Sequence, residues 1–469
     1  MRSSVCLVGV LAWAMAGTAP ALAAVSEADR LWTVGIQAFE DGLYDVSYRE
    51  LAEFARVAPN DARRGDAAVV RGKAAFALGR YGDALGEFGA AQGMPLRAFT
   101  PGEPLFWQAE VLFRLRRFSD ARERYTLFVR GYPTSPYADD ALYARGFSEL
   151  ELGLPEEALA TFNTLLREYP ASELAGSAAY AAARELVRAK RWDEALGLLS
   201  AYPSRFPQSR FLPEARYLLG VTQVETGRAA EGARSLEEFV TAHPTHDLAP
   251  TARVLLAESH LKAGRTPEAI EQYRGLVKHT PTSSLVPQAL YQIGDLSQRL
   301  GRTTDAETAW KTLRRDYPQD ALAASAGLEL ANLHLKGRQF DQAMQAAREV
   351  ADAKGPQRLD ALLLLGEGAL KAGKMAEARG AYEAVLAEAP VSGGDRFRAL
   401  AGVGLVAESQ KETEAARRAY QEIAEKADDA ELVRWAKSRL QGLEARDKPT
   451  PRVAPKAKPR PSAKPESGS

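Results

Sequence analysis

A proline recurs at a constant spacing of 37 residues through the middle of the chain. Six segments align on it, and each continues with a similar run of small and apolar residues, as in "YPTSPYADDALYARG" from Tyr132 and "FPQSRFLPEARYLLG" from Phe206. The six prolines are Pro133, Pro170, Pro207, Pro244, Pro281 and Pro318. Self-similarity at one fixed period is typical of proteins that stack a single supersecondary unit many times. A chain of 469 residues with this pattern therefore predicts a repeat array rather than three ordinary domains.

Small residues follow the same spacing and extend it to about eleven repeats. The first set is Gly35, Gly72, Ala109, Gly146, Ala183, Gly220, Ala257, Gly294, Ala331, Gly366 and Gly404, and the second set, 12 positions later, is Ser47, Ala84, Ala121, Ala158, Ala195, Gly232, Ala269, Ala306, Ala343, Ala378 and Ala416. Turns such as Gly79-Arg80 fall between them, and glycine suits the left-handed conformation that ends a helix. Each repeat is therefore predicted to be two helices that approach closely at the paired small residues. A leucine at Gly220 or Ala195 should be among the most damaging substitutions.

The order of residues within a repeat resembles the tetratricopeptide repeat. A small residue is followed by an alanine 12 positions on, an aromatic residue or leucine 4 positions further, and a proline after 8 more. The consensus of that family is about 34 residues long, and we expect the three extra residues to lengthen the first helix by nearly one turn. The resemblance covers roughly residues 27 to 440 and implies an all-α solenoid that winds as a right-handed superhelix. The "YPxSxxAxxA" opening looks more like the repeats of the periplasmic Tol-Pal accessory protein and of the outer-membrane assembly lipoprotein of the Bam complex than like the repeats of cytosolic co-chaperones.

The first 23 residues, MRSSVCLVGVLAWAMAGTAPALA, have the features of a secretory signal peptide. Arg2 is followed by an apolar run, and Ala21-Leu22-Ala23 provides a small-x-small cleavage site. We therefore expect an exported, periplasmic protein without a transmembrane segment. The only cysteine, Cys6, lies inside the apolar run and not directly after the cleavage site, so we expect no lipid anchor. Removal of the signal peptide would leave no thiol for disulfides or metal sites.

The repeats are predicted to occupy residues 24–445 and to be followed by a basic tail, residues 446–469. The tail has six prolines and seven Lys or Arg residues against two acidic ones, a composition typical of disordered segments. Three interpretations are open: the tail is plainly solvated, it is attracted to the repeat region, which has 53 basic and 59 acidic residues, or it contacts an acidic envelope component such as peptidoglycan, lipopolysaccharide or an anionic protein face. The whole chain balances 61 basic against 61 acidic residues, so no overall field attracts nucleic acid.

Segments 93–104, 353–360 and 389–397 interrupt the regular spacing with extra prolines and glycines. We interpret them either as hinges or as ordinary longer turns, because loops tolerate changes in length at little cost in free energy.

A row of mainly aromatic residues lies three positions before the first small residue in repeats three to eight. The family resemblance places this position on a concave face, and concave solenoid faces bind partners. Aromatic residues are also enriched at binding hot spots. The alternative is that each ring packs on the neighbouring repeat, because aromatic residues at helical spacing often belong to the core. The predicted partner-binding residues are Phe106, Tyr143, Tyr180, Tyr217 and Tyr291.

The stretch "TAHPTHDLAP", residues 241–250, concentrates ionisable side chains. In the repeat alignment, His243 replaces an aromatic residue that ends a second helix, and His246 replaces a serine that we predict to cap the next helix. No third ligand, nucleophile or phosphate-binding loop accompanies them, so we expect no enzyme activity, no metal and no cofactor. We predict only that mild acid loosens this junction, because histidine changes charge in that range.

These observations favour a non-enzymatic periplasmic scaffold for protein-protein interaction in cell-envelope assembly or coordination. Its expected partners are other periplasmic or outer-membrane proteins or peptides. Two alternatives remain open: a periplasmic component of an envelope-spanning motility or secretion machine, and an activating subunit of a peptidoglycan-modifying enzyme.

Overall fold

The structure, a computed structural model, describes residues 26–390 and 393–447 and is all-α over these ranges. The predicted signal peptide and residues 448–469 of the predicted tail lie outside the described residues. None of the helices in the described ranges is both long and apolar enough to cross a membrane.

Within the described ranges the helices form eleven consecutive pairs and one final helix, which confirms the predicted array of about eleven two-helix repeats. The pairs are α1 (Glu27–Glu40) and α2 (Tyr44–Val57), α3 (Arg64–Ala77) and α4 (Tyr81–Ala91), α5 (Glu103–Arg114) and α6 (Phe118–Gly131), α7 (Ala138–Glu151) and α8 (Pro155–Glu168), α9 (Ala175–Arg188) and α10 (Trp192–Arg205), α11 (Leu212–Glu225) and α12 (Ala229–Ala242), α13 (Ala249–Lys262) and α14 (Thr266–His279), α15 (Val286–Arg299) and α16 (Thr303–Asp316), α17 (Ala321–Lys336) and α18 (Phe340–Asp352), α19 (Arg358–Lys371) and α20 (Met375–Glu388), and α21 (Gly394–Ser409) and α22 (Thr413–Lys426). The final helix is α23 (Ala430–Asp447), which includes the first two residues of the predicted tail.

The described residues divide into two compact bodies, with the boundary between residues 235 and 236, inside α12. Within each body the two helices of a repeat pack on each other, and each second helix also packs on the first helix of the next repeat. First helices of neighbouring repeats also touch, as α5 does with α7 and α15 with α17. The core is therefore a row of apolar clusters along each body, joined by side chains that pack on two clusters, such as Val129 and Leu386, since one repeat alone cannot bury its apolar faces.

The small residues lie where the two helices of a repeat meet, as predicted. A Cβ atom added to Gly72 would lie 2.5 Å from the Phe88 ring, and one added to Gly146 would lie 2.5 Å from the Phe162 ring. The partner in each case stands 16 positions after the glycine and is buried. Glycine is thus required because the side chain of the second helix fills the space that a Cβ atom would occupy. The same relation holds for Gly35 with Leu51, Gly294 with Trp310, Gly366 with Tyr382 and Gly404 with Tyr420.

The three extra residues of a regular repeat lie in the linker between repeats, so the expected longer first helix is wrong. First helices α7, α9, α11, α13 and α15 have 14 residues each. In the linker before α7, the side-chain oxygen of Ser135 accepts a hydrogen bond from the backbone N–H of Tyr137 (3.3 Å), and the Ser135 N–H donates to the Tyr132 carbonyl (3.1 Å). The chain therefore makes a side-chain-stabilised turn before the helix begins.

The predicted serine caps are consequently turn residues. Ser172, Ser209 and Ser283 each accept a hydrogen bond from the N–H two positions on, at 3.0–3.2 Å, and the helix begins only after that residue. Asp320 differs, because it caps α17 directly by accepting from the Leu322 N–H at 2.8 Å.

The proline-rich segment 93–104, one of the candidate hinges, is fastened to α3. The carboxylate of Asp66, which is 1% exposed, accepts hydrogen bonds from the backbone N–H groups of Arg97 (3.0 Å) and Ala98 (3.2 Å). The Lys73 ammonium also lies 4.5 Å from the centre of the Phe99 ring. These contacts favour an ordinary, anchored turn over a hinge at this segment.

Candidate interaction surface

The five predicted partner-binding residues do not share one environment. Phe106 is 5% exposed and belongs to the core around α5 and α6, so it is not placed to contact a partner. Tyr143, Tyr180, Tyr217 and Tyr291 are half-buried, each on the first helix of its repeat. The predicted row therefore contains four side chains that are partly accessible and one that packs inside.

Two rings of the row are stacked on a ring from the next repeat. Phe106 and Tyr137 have ring centres 4.7 Å apart and planes 17° apart, and Tyr180 and Phe211 have ring centres 4.7 Å apart and planes 10° apart. Tyr137 and Phe211 are the last linker residues before α7 and α11. For the stacked ring faces, these contacts support the alternative interpretation that each ring packs on the neighbouring repeat. One ring face of Tyr180 is therefore covered by Phe211.

The hydroxyl groups of Tyr143 and Tyr180 are neutral. Burial raises the pKa of Tyr143, an effect that the nearby Arg210, Ser177 and Arg184 partly offset. Burial also raises the pKa of Tyr180, to which Glu214 adds. Because a phenol already ionises near pH 10, the raised pKa keeps these hydroxyls protonated, so they remain hydrogen-bond donors.

Tyr143 and Tyr180 lie among exposed arginines in the N-terminal body. Arg184 follows Tyr180 by four positions on α9 and shares its helix face, and Arg210 lies in the linker next to Phe211. Both arginine side chains act electrostatically on Tyr143. We refer to Tyr143, Tyr180, Arg184, Arg210 and Phe211 as the tyrosine-arginine surface. The sequence prediction missed Arg184, although its spacing from Tyr180 could have revealed it, and it missed Arg210, for which the repeat pattern gives no signal.

Tyr291 stands in acidic surroundings in the C-terminal body. Burial raises the pKa of its hydroxyl first, and the charges of Glu329 and Asp295 raise it further. Asp295 forms an ion pair with Arg299 at 2.8 Å. Tyr291 thus differs chemically from the arginine-flanked tyrosines, and the row is not a uniform surface.

The histidine junction is a variant of the ordinary linker. His246 Nδ1 accepts a hydrogen bond from the Leu248 N–H at 3.1 Å, the role that serine has in the sibling linkers. The rings of His243 and His246 have centres 6.4 Å apart, and both rings contact Phe239. Among the described residues, no three His, Cys, Asp or Glu side chains are grouped so that they could hold a metal ion.

We predict that acidification from pH 7.5 to 5.5 increases hydrogen exchange at the Leu248 amide, after correction for the intrinsic rate. A protonated imidazole donates from both nitrogens, so Nδ1 can no longer accept this bond. The matched control is His246→Ser, which should abolish the pH dependence at Leu248 and keep the turn. Equal corrected exchange at both pH values in the wild type would contradict the prediction.

His260 on α13 is a separate source of acid sensitivity. Burial lowers its pKa, and the positive charge of Arg265 lowers it further. The folded state therefore favours the neutral ring, and this contribution to stability is lost as the pH falls below the unfolded-state pKa of about 6.5. The loss of stability caused by His260 would persist in the His246→Ser variant. This variant therefore distinguishes the effect of His260 from that of His246.

Comparison with known proteins identifies repeats along more than half of the chain. A tetratricopeptide repeat profile matches residues 106–173, 143–210, 180–246, 217–284 and 328–393, and a second profile of the same description matches residues 288–320. A search of curated protein sequences found no match.

Several solved structures align with long parts of this chain. The C-terminal part of a TPR repeat-containing protein from Cytophaga hutchinsonii is 12% identical, covers 57% of this chain and 99% of its own, and has a TM-score of 0.44. Yeast Tom70 is 12% identical over 89% of this chain and 96% of its own, with a TM-score of 0.33. YrrB, described as a TPR protein with an unusual peptide-binding site, is 17% identical over 44% of this chain and 98% of its own, with a TM-score of 0.34.

Proposed function

Because the chain belongs to the tetratricopeptide repeat family, we propose that it is a non-enzymatic scaffold that binds other proteins or peptides of the cell envelope in the periplasm. The observation that carries the binding part is the tyrosine-arginine surface. It combines aromatic edges, neutral phenol hydroxyls and exposed guanidinium groups, and Tyr and Arg are residue types that dominate binding hot spots.

The surface is pre-ordered, which favours binding. Tyr180 is held by its stacking on Phe211, and the Tyr143 ring lies 4.8 Å from the Phe147 ring. Side chains that are already fixed lose less conformational entropy when a partner docks. A partner would therefore meet ordered hydroxyls and guanidinium groups along α7, α9 and the linker before α11.

The envelope part of the proposal is supported by sequence features alone. Residues 1–23 have the charge, apolar run and small-x-small site of a signal peptide, and the "YPxSxxAxxA" openings resemble those of periplasmic repeat proteins.

In-cell photo-crosslinking tests both parts. A photoreactive amino acid at Ser177, beside Tyr143, should capture an envelope protein, whereas the same residue at Gly197 on α10 should capture much less. Gly197 is a suitable control because a Cβ atom added there meets no other atom within 4 Å. Recovery of the protein in the cytoplasmic fraction would overturn the envelope assignment, and equal capture at both positions would overturn the binding assignment. The captured protein also decides among general assembly, a motility or secretion machine, and a peptidoglycan-modifying enzyme.

We predict that Tyr143→Ala, Tyr180→Ala and Tyr217→Ala together weaken partner capture while helicity is retained. Tyr180→Ala also removes a ring stacked at 4.7 Å, so a stability loss of about 1 kcal/mol accompanies it. Circular dichroism should show an unchanged spectrum at 25 °C and a melting temperature a few degrees lower.

The matched control is the triple Tyr→Phe variant, which keeps the packing and removes only the hydroxyls. If this variant captures the partner at an intermediate level, both the hydroxyl groups and the rings contribute to partner capture. Loss of the folded state in the alanine variant, with full capture by the phenylalanine variant, would show that the tyrosines are core residues.

A further inference from the structure

The tyrosine-arginine surface lies in a locally basic part of an electrically balanced chain. Residues 175–211 contain six basic and three acidic residues, whereas the whole chain contains 61 of each. The basic residues of α9 and of the linker before α11 are Arg184, Arg188 and Arg210, and all three are exposed.

Arg210 carries a charge that no acidic side chain of the described residues neutralises through an ion pair. Its guanidinium lies 4.6 Å from the centre of the Phe211 ring. The same ring is stacked on Tyr180 with planes 10° apart. The aromatic contact therefore positions Arg210 while leaving its N–H groups available, because a cation over a ring face does not use its hydrogen-bond donors.

Arg184 is also incompletely neutralised. Its side chain is 51% exposed, and its acidic partner is Glu185 at 3.5 Å. The same carboxylate lies closer to Arg188, at 2.6 Å. Glu185 is therefore shared by two guanidinium groups. A second carboxylate, Glu214, acts on Tyr180 and has contacts of its own.

These groups converge from two consecutive repeats and a linker. The Tyr143 hydroxyl on α7 is close to Ser177 on α9 and within electrostatic range of both Arg184 and Arg210. Arg210 lies over the Phe211 ring, this ring is stacked on Tyr180, and Arg184 stands one helical turn after Tyr180, so one aromatic pair connects the two exposed guanidinium groups. This arrangement supplies hydrogen-bond donors and positive charge, and carboxylates are the planar anions that guanidinium groups bind with two parallel hydrogen bonds.

We propose that Arg184, Arg210 and the Tyr143 hydroxyl bind carboxylate side chains within an acidic segment of the partner. The proposal rests on the proposed function, because it names the partner chemistry of the same surface. Side-chain carboxylates are favoured over a single terminal carboxylate because one guanidinium group stands on α9, the other stands in the linker before α11, and both are open to solvent. The edges of Tyr180 and Phe211 would contact apolar side chains between the acidic ones.

Fluorescence anisotropy with three labelled peptides tests this proposal. The first alternates Glu and Ala and is blocked at both ends, the second replaces every Glu by Gln, and the third is the Gln peptide with a free C-terminal carboxylate. We expect the Glu peptide alone to bind, with an affinity that falls as salt is raised. In Arg184→Gln/Arg210→Gln its affinity should fall about tenfold, a loss typical of removing charged partners at an accessible interface.

The matched control is Arg205→Gln. Arg205 is exposed at the end of α10 and lies 5.2 Å from the Phe206 ring, the same kind of contact that Arg210 makes with Phe211. It should change the affinity less than twofold, and the melting temperature of every variant should stay within about 2 °C of the wild type.

Equal binding of the Glu and Gln peptides, equal losses in the control and the double variant, or preferential binding of the free-carboxylate peptide would overturn the proposal. If one of these results occurs while Ser177 still captures an envelope protein in cells, the scaffold function stands and only the acidic-segment recognition fails.

Discussion

Gly294→Leu is expected to lower the free energy of unfolding by about 3 kcal/mol, among the largest effects of any single substitution in the C-terminal body. A Cβ atom at Gly294 would overlap the indole of Trp310, and Trp310 is fully buried. The ring cannot move away, because it fills the space between α15 and α16 in a close-packed core. Thermal unfolding followed by circular dichroism measures the loss.

Two variants establish that the cause is overlap with the ring. Gly380→Leu, in α20, meets no atom within 4 Å of its Cβ and should be neutral or slightly stabilising, because leucine favours helix more than glycine does. Gly294→Ala/Trp310→Leu should recover stability relative to Gly294→Ala alone, since the chain itself uses this combination at Ala183 and Leu199. A failure of Trp310→Leu to rescue Gly294→Ala would mean that the overlap is not what makes the substitution damaging.

The helix pairs and their contact points could be predicted because they depend on residues at fixed spacing. A glycine and a ring 16 positions apart recur often enough for their contact to be inferred without coordinates. The linkers could not be predicted in the same way. Ser135 has the chemistry of both a cap and a turn residue, and the choice depends on backbone angles that place the helix start after Tyr137.

The candidate surface was predictable only in part for a related reason. The repeat spacing placed Tyr143 and Tyr180 at the same position of two successive first helices, but Phe106 lies at that position of its own helix and is buried. The difference comes from what each neighbouring linker contributes: Tyr137 covers Phe106, whereas Phe211 covers one face of Tyr180 and also positions Arg210. These contacts join neighbouring repeats, so they cannot be inferred when the sequence of each repeat is considered by itself.

Asp66→Ala is expected to lower the free energy of unfolding of the N-terminal body by about 3 kcal/mol. The substitution removes a buried carboxylate that accepts hydrogen bonds from the N–H groups of Arg97 and Ala98, at 3.0 and 3.2 Å. A charged acceptor stabilises such bonds more than a neutral one does, and its loss leaves two backbone donors without their partner. Asp66→Asn keeps one acceptor oxygen and should lose about half as much.

The behaviour of segment 93–104 in the Asp66→Ala variant distinguishes an anchored turn from a hinge. If Asp66 is the anchor, the amides of Arg97 and Ala98 become exchangeable in Asp66→Ala, and proteolysis begins within this segment before the helices unfold. Asp83→Ala, an exposed carboxylate in the first turn of α4, controls for the loss of charge and should leave both readouts near the wild type. Rapid exchange of these two amides in the wild-type protein would show instead that the segment opens despite Asp66, which would restore the hinge interpretation.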